Sequence, residues 1–166
     1  MFPEDLVDDA RKLLERLRAQ QKMLVTAESC TGGLIAGLFT EIAGSSDVVE
    51  RGYVTYSNAA KMSCLGVSED LLAKHGAVSA EVARAMAQGA LANSQADVAV
   101  SVTGVAGPGG GSAEKPVGLV HFGAALKGGQ IVHLERRFGD IGRSPIRLAS
   151  VKAALSLIGC VISSPG

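Results

Sequence analysis

The amino-acid sequence predicts an α/β fold: a single domain whose mixed, mostly parallel β-sheet is sandwiched between helices in three α/β/α layers. Three observations predict it. Segments with apolar residues at helical spacing alternate with short β-branched runs through the first half of the chain. Val98, Ala99, Val100 and Val102 form a near-continuous apolar run, as in a strand covered on both faces. Two further strand-like runs flank Lys127-Gly128-Gly129. At 166 residues and 16.9 kDa the chain suits one domain, with its core over residues 5–162. Size scaling gives a folded surface of roughly 7,700 Å² against roughly 24,500 Å² unfolded, enough burial to hold a fold without metal or disulfide.

Leu6, Val7, Ala10, Leu13, Leu14 and Leu17 stripe one face of a first helix, Glu4–Gln20. Met23–Glu28 reads as a strand, and Ser29–Ala43 as a helix with Leu34, Ile35, Leu38, Phe39 and Ile42 on its apolar side. Val48–Tyr56 alternates and is rich in Val, Thr and Tyr, as strands are. Asn58–Leu65, Glu69–His75 and Ala80–Asn93 read as helices. The last is capped by Ser79 but lacks a capping box, because Val82 stands where Glu or Gln would. Asp97–Thr103 is the apolar strand, and the glycine-rich stretch Gly104–Ser112 is a loop. Val117–Leu126 and Gln130–Phe138 read as paired strands. Ser144–Ile162 closes the chain as a helix with Pro145 in its first turn, where proline is tolerated.

Sixteen basic and sixteen acidic side chains cancel. That argues against a protein that neutralises nucleic-acid backbones, but leaves room for one phosphate held by an arginine or two. Cys30, Cys64 and Cys160 are far apart with no CxxC pair, so free thiols in a reducing compartment are expected. The acidic start, Met1-Phe2-Pro3-Glu4-Asp5, is unlike a leader, and no run is expected to reach the roughly eighteen apolar residues of a membrane span. A cytoplasmic protein without membrane contact follows as the expectation. The zero net charge suits a homo-oligomer and a monomer equally.

The sequence contains no P-loop, no HExxH and no GxSxG; Gly107 and Gly109 begin a GxGxxG that Ser112 does not complete. His75, His121 and His133 are isolated, and no cluster of metal ligands is present, so neither a metal nor an organic cofactor is expected. Three features remain. Ala27-Glu28-Ser29-Cys30-Thr31-Gly32-Gly33 marks a strand turning into a helix, where free backbone N–H groups face an anion or a polarised carbonyl. Ser29 there is either a nucleophile beside an oxyanion hole or, with Thr31, a helix cap. Cys30 is a second nucleophile candidate without an evident basic partner.

Gly52-Tyr53-Val54-Thr55-Tyr56-Ser57-Asn58-Ala59-Ala60-Lys61 gathers Tyr56, Asn58 and Lys61 at another strand end. Lys61 is either a solvated helix lysine or a base whose pKa burial has lowered. The third feature joins Thr103-Gly104-Val105-Ala106-Gly107-Pro108 to Arg143 and Arg147, one helical turn apart. These two suit a phosphate clamp, or are surface arginines paired with Asp140. In a parallel sheet all three features meet beyond the carboxyl ends of the strands, the usual ligand rim of such folds.

These same three segments resemble the CinA C-terminal domain family, the competence/damage-inducible family whose characterised members are nicotinamide-nucleotide amidohydrolases. The similarity runs from about residue 5 to 160, and the chain resembles the family's stand-alone form, which lacks a larger N-terminal domain. The resemblance implies deamidation of nicotinamide mononucleotide to nicotinate mononucleotide and ammonia, in pyridine-nucleotide salvage. It places the family's nucleophile on Ser29, its lysine on Lys61 with Tyr56 beside it, its strand-end threonine on Thr103 and its arginine on Arg143. One departure is that Ile141 and Gly142 separate Asp140 from Arg143, where the family often has Gly-Asp directly followed by Arg.

The expected mechanism has Ser29 attacking the amide carbon, with Lys61, assisted by Tyr56, moving the proton. Backbone N–H groups over Cys30, Thr31, Gly32 and Gly33 hold the oxyanion. Asn58, Thr103, Gly104, Gly107, Arg143 and Arg147 bind the ribose or phosphate. A non-catalytic nucleotide-binding module using the same glycine turns and Arg143 is the rival, and it needs no reactive lysine.

Overall fold

A computed structural model describes residues 1–163, in the order α1 (Glu4–Ala19), β1 (Leu24–Glu28), α2 (Leu34–Thr40), a 3₁₀ turn (Ser45–Asp47), β2 (Val49–Val54), α3 (Asn58–Leu65), α4 (Glu69–His75), α5 (Ala80–Ala92), β3 (Val98–Gly104), β4 (Leu119–Leu126), β5 (Ile131–Arg137) and α6 (Arg143–Ser163). The strands form one sheet in the order β2-β1-β3-β4-β5. β1 pairs in parallel with β2 and β3, while β4 runs antiparallel to both β3 and β5. Only β4 therefore opposes the rest, and the sheet is mixed and mostly parallel, as predicted.

Apolar periodicity sorts the helices onto the two faces. Leu13 and Leu17 of α1, Ile35 and Phe39 of α2, and Ile158 of α6 pack with Val98, Val100, Val102 and Phe122 on one face. Leu65, Leu72, Val82 and Met86, from α3, α4 and α5, pack with Val25, Ala99 and Ala125 on the other. The apolar run of β3 is thus buried on both sides. The accessible surface, 7649 Å², agrees with the size-scaling expectation. Ser57, Ser68 and Ser79 cap α3, α4 and α5 by accepting the N–H of Ala60, Leu71 and Val82.

Two expectations are corrected. The helix predicted from Ser29 begins only at Leu34, because Gly32 (φ 58°) and Gly33 (φ 98°) take left-handed conformations that a right-handed helix cannot contain. Ser29–Gly33 is instead a turn. The expectation that no segment is long and apolar enough to cross a membrane also fails, since α6 meets that measure with a mean hydropathy of 1.7. Its Ile146, Val151, Ala154, Ile158 and Val161 are nonetheless buried in the core between sheet and α1.

Candidate active site

β1, β2 and β3 are parallel, so their carboxyl ends share one rim of the sheet. The three sequence features meet there around a cavity of about 290 Å³. Its wall takes Ser29 and Cys30 from beyond β1, and Tyr56, Asn58 and Lys61 from the β2–α3 junction. Thr103, Gly104 and Gly107 come from β3 and its loop, and Arg143 from the start of α6. Thr31, Gly32, Gly33 and Arg147 lie outside this wall. Wider hollows of about 660 Å³ between α1 and α6, and about 680 Å³ beneath the glycine-rich loop, hold no comparable convergence of nucleophile and base.

Lys61 is 1% exposed, and its Nζ lies 3.0 Å from Ser29 Oγ, 2.9 Å from the Thr55 carbonyl and 3.4 Å from the Tyr56 carbonyl. Burial holds its pKa below the ordinary lysine range. Lys61 Nζ stands within hydrogen-bond distance of both carbonyls and of the Ser29 hydroxyl, and burial favours the neutral amine, whose lone pair can accept from that hydroxyl. That is the hydrogen-bond pattern of a nucleophile and its base. Cys30 is the poorer nucleophile, because burial pushes its thiol up to about 11. No disulfide joins Cys30, Cys64 or Cys160.

The turn carrying Ser29 is held by a residue that the sequence reading did not select. The Glu28 carboxylate, wholly buried, accepts from Thr31 Oγ1 at 2.7 Å, Ile35 N at 2.9 Å, Ala36 N at 3.1 Å and Thr26 Oγ1 at 3.3 Å. It is therefore Glu28, not Ser29 or Thr31, that caps α2, a carboxylate placed where the helix dipole favours one. The N–H groups of Ile35 and Ala36 at the start of α2 are consequently taken, which leaves those of the preceding turn as the candidates to face a ligand. Gly32 N donates to Ser29 O at 3.0 Å and Leu34 N to Thr31 O at 3.1 Å. The signal was the carboxylate itself, at the end of a strand that leads into a helix.

Tyr56 touches Lys61 through its carbonyl, whereas its largely exposed phenol accepts from Arg143 Nη2 at 2.9 Å. Tyr53 faces away, donating to Asn93 O. Arg143 also donates to Gly107 O at 2.6 Å, so it bridges the two sides of the cavity mouth. Arg147 points elsewhere, onto Cys30 O and Thr31 O, each at 3.1 Å. The alternative pairing of either arginine with Asp140 is absent among the described residues, since Arg143 and Arg147 donate elsewhere. Thr103 is 1% exposed and its hydroxyl donates to Ala77 O at 2.9 Å, tying β3 to the loop before α5. His121 and His133, isolated in sequence, pair across β4 and β5 at 2.8 Å and lie outside the cavity wall.

Comparison with known proteins matches residues 8–162 to the CinA C-terminal domain. Nicotinamide-nucleotide amidohydrolase PncC from Enterobacter agglomerans is 54% identical over 140 residues, 84% of each chain. A competence-damage inducible relative from Caldicellulosiruptor bescii is 53% identical over 154 residues; the match takes in 89% of this chain but 37% of that longer protein. Among solved structures, the competence/damage inducible protein CihA from Agrobacterium tumefaciens superposes with a TM-score of 0.96 at 54% identity, covering 99% of both chains. By sequence and by fold, the chain belongs to the CinA C-terminal domain family.

Proposed function

We propose that this chain hydrolyses the carboxamide of nicotinamide mononucleotide, releasing ammonia and nicotinate mononucleotide for pyridine-nucleotide salvage. The observation that carries the reading is the buried Lys61 Nζ, 3.0 Å from Ser29 Oγ in the wall of a cavity. A binding module has no use for a buried lysine aimed at a serine hydroxyl, because an unpaired charge there disfavours folding. The name borne by the Enterobacter agglomerans relative supplies the substrate class.

Lys61 takes the Ser29 proton as Oγ attacks the amide carbon, giving a tetrahedral oxyanion. The N–H groups of Cys30 and Thr31, neither of which donates to a backbone carbonyl among the described residues, hold that oxygen. Lys61 then passes the proton to the amide nitrogen, the C–N bond breaks and ammonia leaves. Water attacks the remaining Ser29 ester, its proton returning through Lys61 to Ser29 Oγ. The Tyr56 carbonyl keeps Lys61 in place, and Arg143 exchanges Gly107 O and Tyr56 OH for the substrate phosphate. Thr103, Gly104, Gly107 and Asn58 line the ribose path. Binding energy from the phosphate thereby orients the amide.

The test is ammonia release from nicotinamide mononucleotide, with free nicotinamide as control. Turnover of the nucleotide supports the reading. Tight binding without ammonia overturns it in favour of the binding module.

A further inference from the structure

We infer that Arg147 is a positioning residue that sets the direction of the Thr31 N–H, one of the oxyanion donors behind Ser29, and not a ligand of the substrate phosphate; the inference rests on the amidohydrolase reading above. Arg143 and Arg147 lie one turn apart on α6, yet they face different things. Arg143 is exposed at the cavity mouth, while Arg147 is half-buried and lies outside the cavity wall. Its Nε and Nη2, on one edge of the planar guanidinium, donate to the successive carbonyls of Cys30 and Thr31. A rigid fork on two successive carbonyls fixes both peptide planes at once, which a lysine ammonium does not.

These peptides are trans, so each N–H points opposite to the carbonyl of its own peptide plane. Drawing Cys30 O toward Arg147 turns Thr31 N–H to the far side. Gly32 N, bonded to Ser29 O, turns Cys30 N–H in the same way. The turn needs such anchoring. Gly32 and Gly33 both have positive φ and impose little steric guidance, and helical bonding begins only at Leu34. Glu28 grips the turn through Thr31 Oγ1 and the start of α2, and Arg147 grips it through the carbonyls. Two opposite charges outside the cavity thus hold one loop whose working atoms face inward. Arg147 also places positive charge behind the Cys30 peptide, where it opposes the larger effect of burial on the Cys30 thiol.

The experiment compares wild type, Arg147→Met and Arg147→Lys in two assays. The first is the rate at which a fluorophosphonate probe labels Ser29, located by peptide mass spectrometry. The second is kcat and KM for ammonia release from nicotinamide mononucleotide. The probe carries no ribose phosphate, yet its phosphoryl oxygen occupies the oxyanion position. Labelling and kcat are expected to fall at least tenfold in Arg147→Met, with KM within twofold of wild type and partial recovery on adding methylguanidinium. Arg147→Lys retains the charge and stem and falls between the two; should the Met variant fail to fold, the Lys variant decides. A tenfold rise in KM with labelling and kcat unchanged makes Arg147 a phosphate ligand and overturns the inference, as does wild-type labelling in a folded Arg147→Lys protein. Wild type that is labelled on Ser29 but frees no ammonia overturns the amidohydrolase reading instead, leaving the labelling comparison to judge Arg147.

Discussion

Replacing Lys61 with Met keeps a side chain of similar length and removes the one nitrogen that reaches Ser29 Oγ, Thr55 O and Tyr56 O. Loss of a positioned general base lowers kcat by about 10²–10⁴. Wild-type kcat/KM should rise with pH, because only the neutral amine accepts the serine proton. The midpoint lies below the ordinary lysine value of about 10.4, since burial disfavours the ammonium. In the Met variant this limb should vanish.

Stability gives an independent readout. The native protein holds Lys61 less protonated than the unfolded chain, so between the lowered folded pKa and about 10.4 unfolding takes up protons. Stability therefore rises with pH across that window in wild type and loses this contribution in Lys61→Met. At neutral pH the variant sheds the penalty of burying a charge but strands two carbonyls at about 1–3 kcal/mol each. These oppose one another, and with about 2–4 °C per kcal/mol for a chain of this size, Tm should move by only a few degrees. Stopped assays of ammonia across pH, beside thermal melts, check both. A folded Lys61→Met protein that keeps more than a tenth of wild-type kcat, or keeps the alkaline limb, refutes the base assignment.

Two other substitutions test the supports of the site. Glu28→Gln leaves one N–H, of Ile35 or Ala36, facing an amide NH₂ and loses the charge at the start of α2. The cost is about 2–3 kcal/mol, a fall in Tm of roughly 4–12 °C that differential scanning calorimetry resolves. An unchanged Tm contradicts the capping role. Arg143→Ala should raise KM for nicotinamide mononucleotide about 10- to 100-fold, the worth of a charge-assisted phosphate contact. It should leave the phosphate-free riboside unaffected. Equal losses for both substrates would remove Arg143 from the phosphate site.

Much of the fold was legible because burial repeats at helical and strand periods. The stripe of α1 is buried as read at Leu6, Ala10, Leu13, Leu14 and Leu17, with Val7 only partly so, and the apolar run of β3 is buried too. The meeting of Ser29, Lys61, Thr103 and Arg143 at one rim was also legible, because each stands at or just past the end of a parallel strand or in the first turn of a helix beside it. The Ser29–Gly33 turn was not. Leu34, Ile35, Leu38 and Phe39 carry a helical pattern that says nothing about where the helix starts, and the two glycines decide that through φ. Glu28 escaped notice because capping rules look to the residue next to the first turn. Here the carboxylate reaches Ile35, seven positions on, from the end of β1. The targets of Tyr56 and Arg147 were equally hidden. Their side chains pair with residues 87 and 117 positions away, and sequence spacing carries no such information.

The most direct test of the central claim is Ser29→Ala, assayed for ammonia release and, by titration calorimetry, for nicotinamide mononucleotide binding. The Ser29–Lys61 geometry predicts undetectable turnover with binding close to that of wild type, because in the proposed mechanism the hydroxyl makes the bond and Arg143 holds the phosphate. Ammonia release at the wild-type rate from the Ala variant would contradict it.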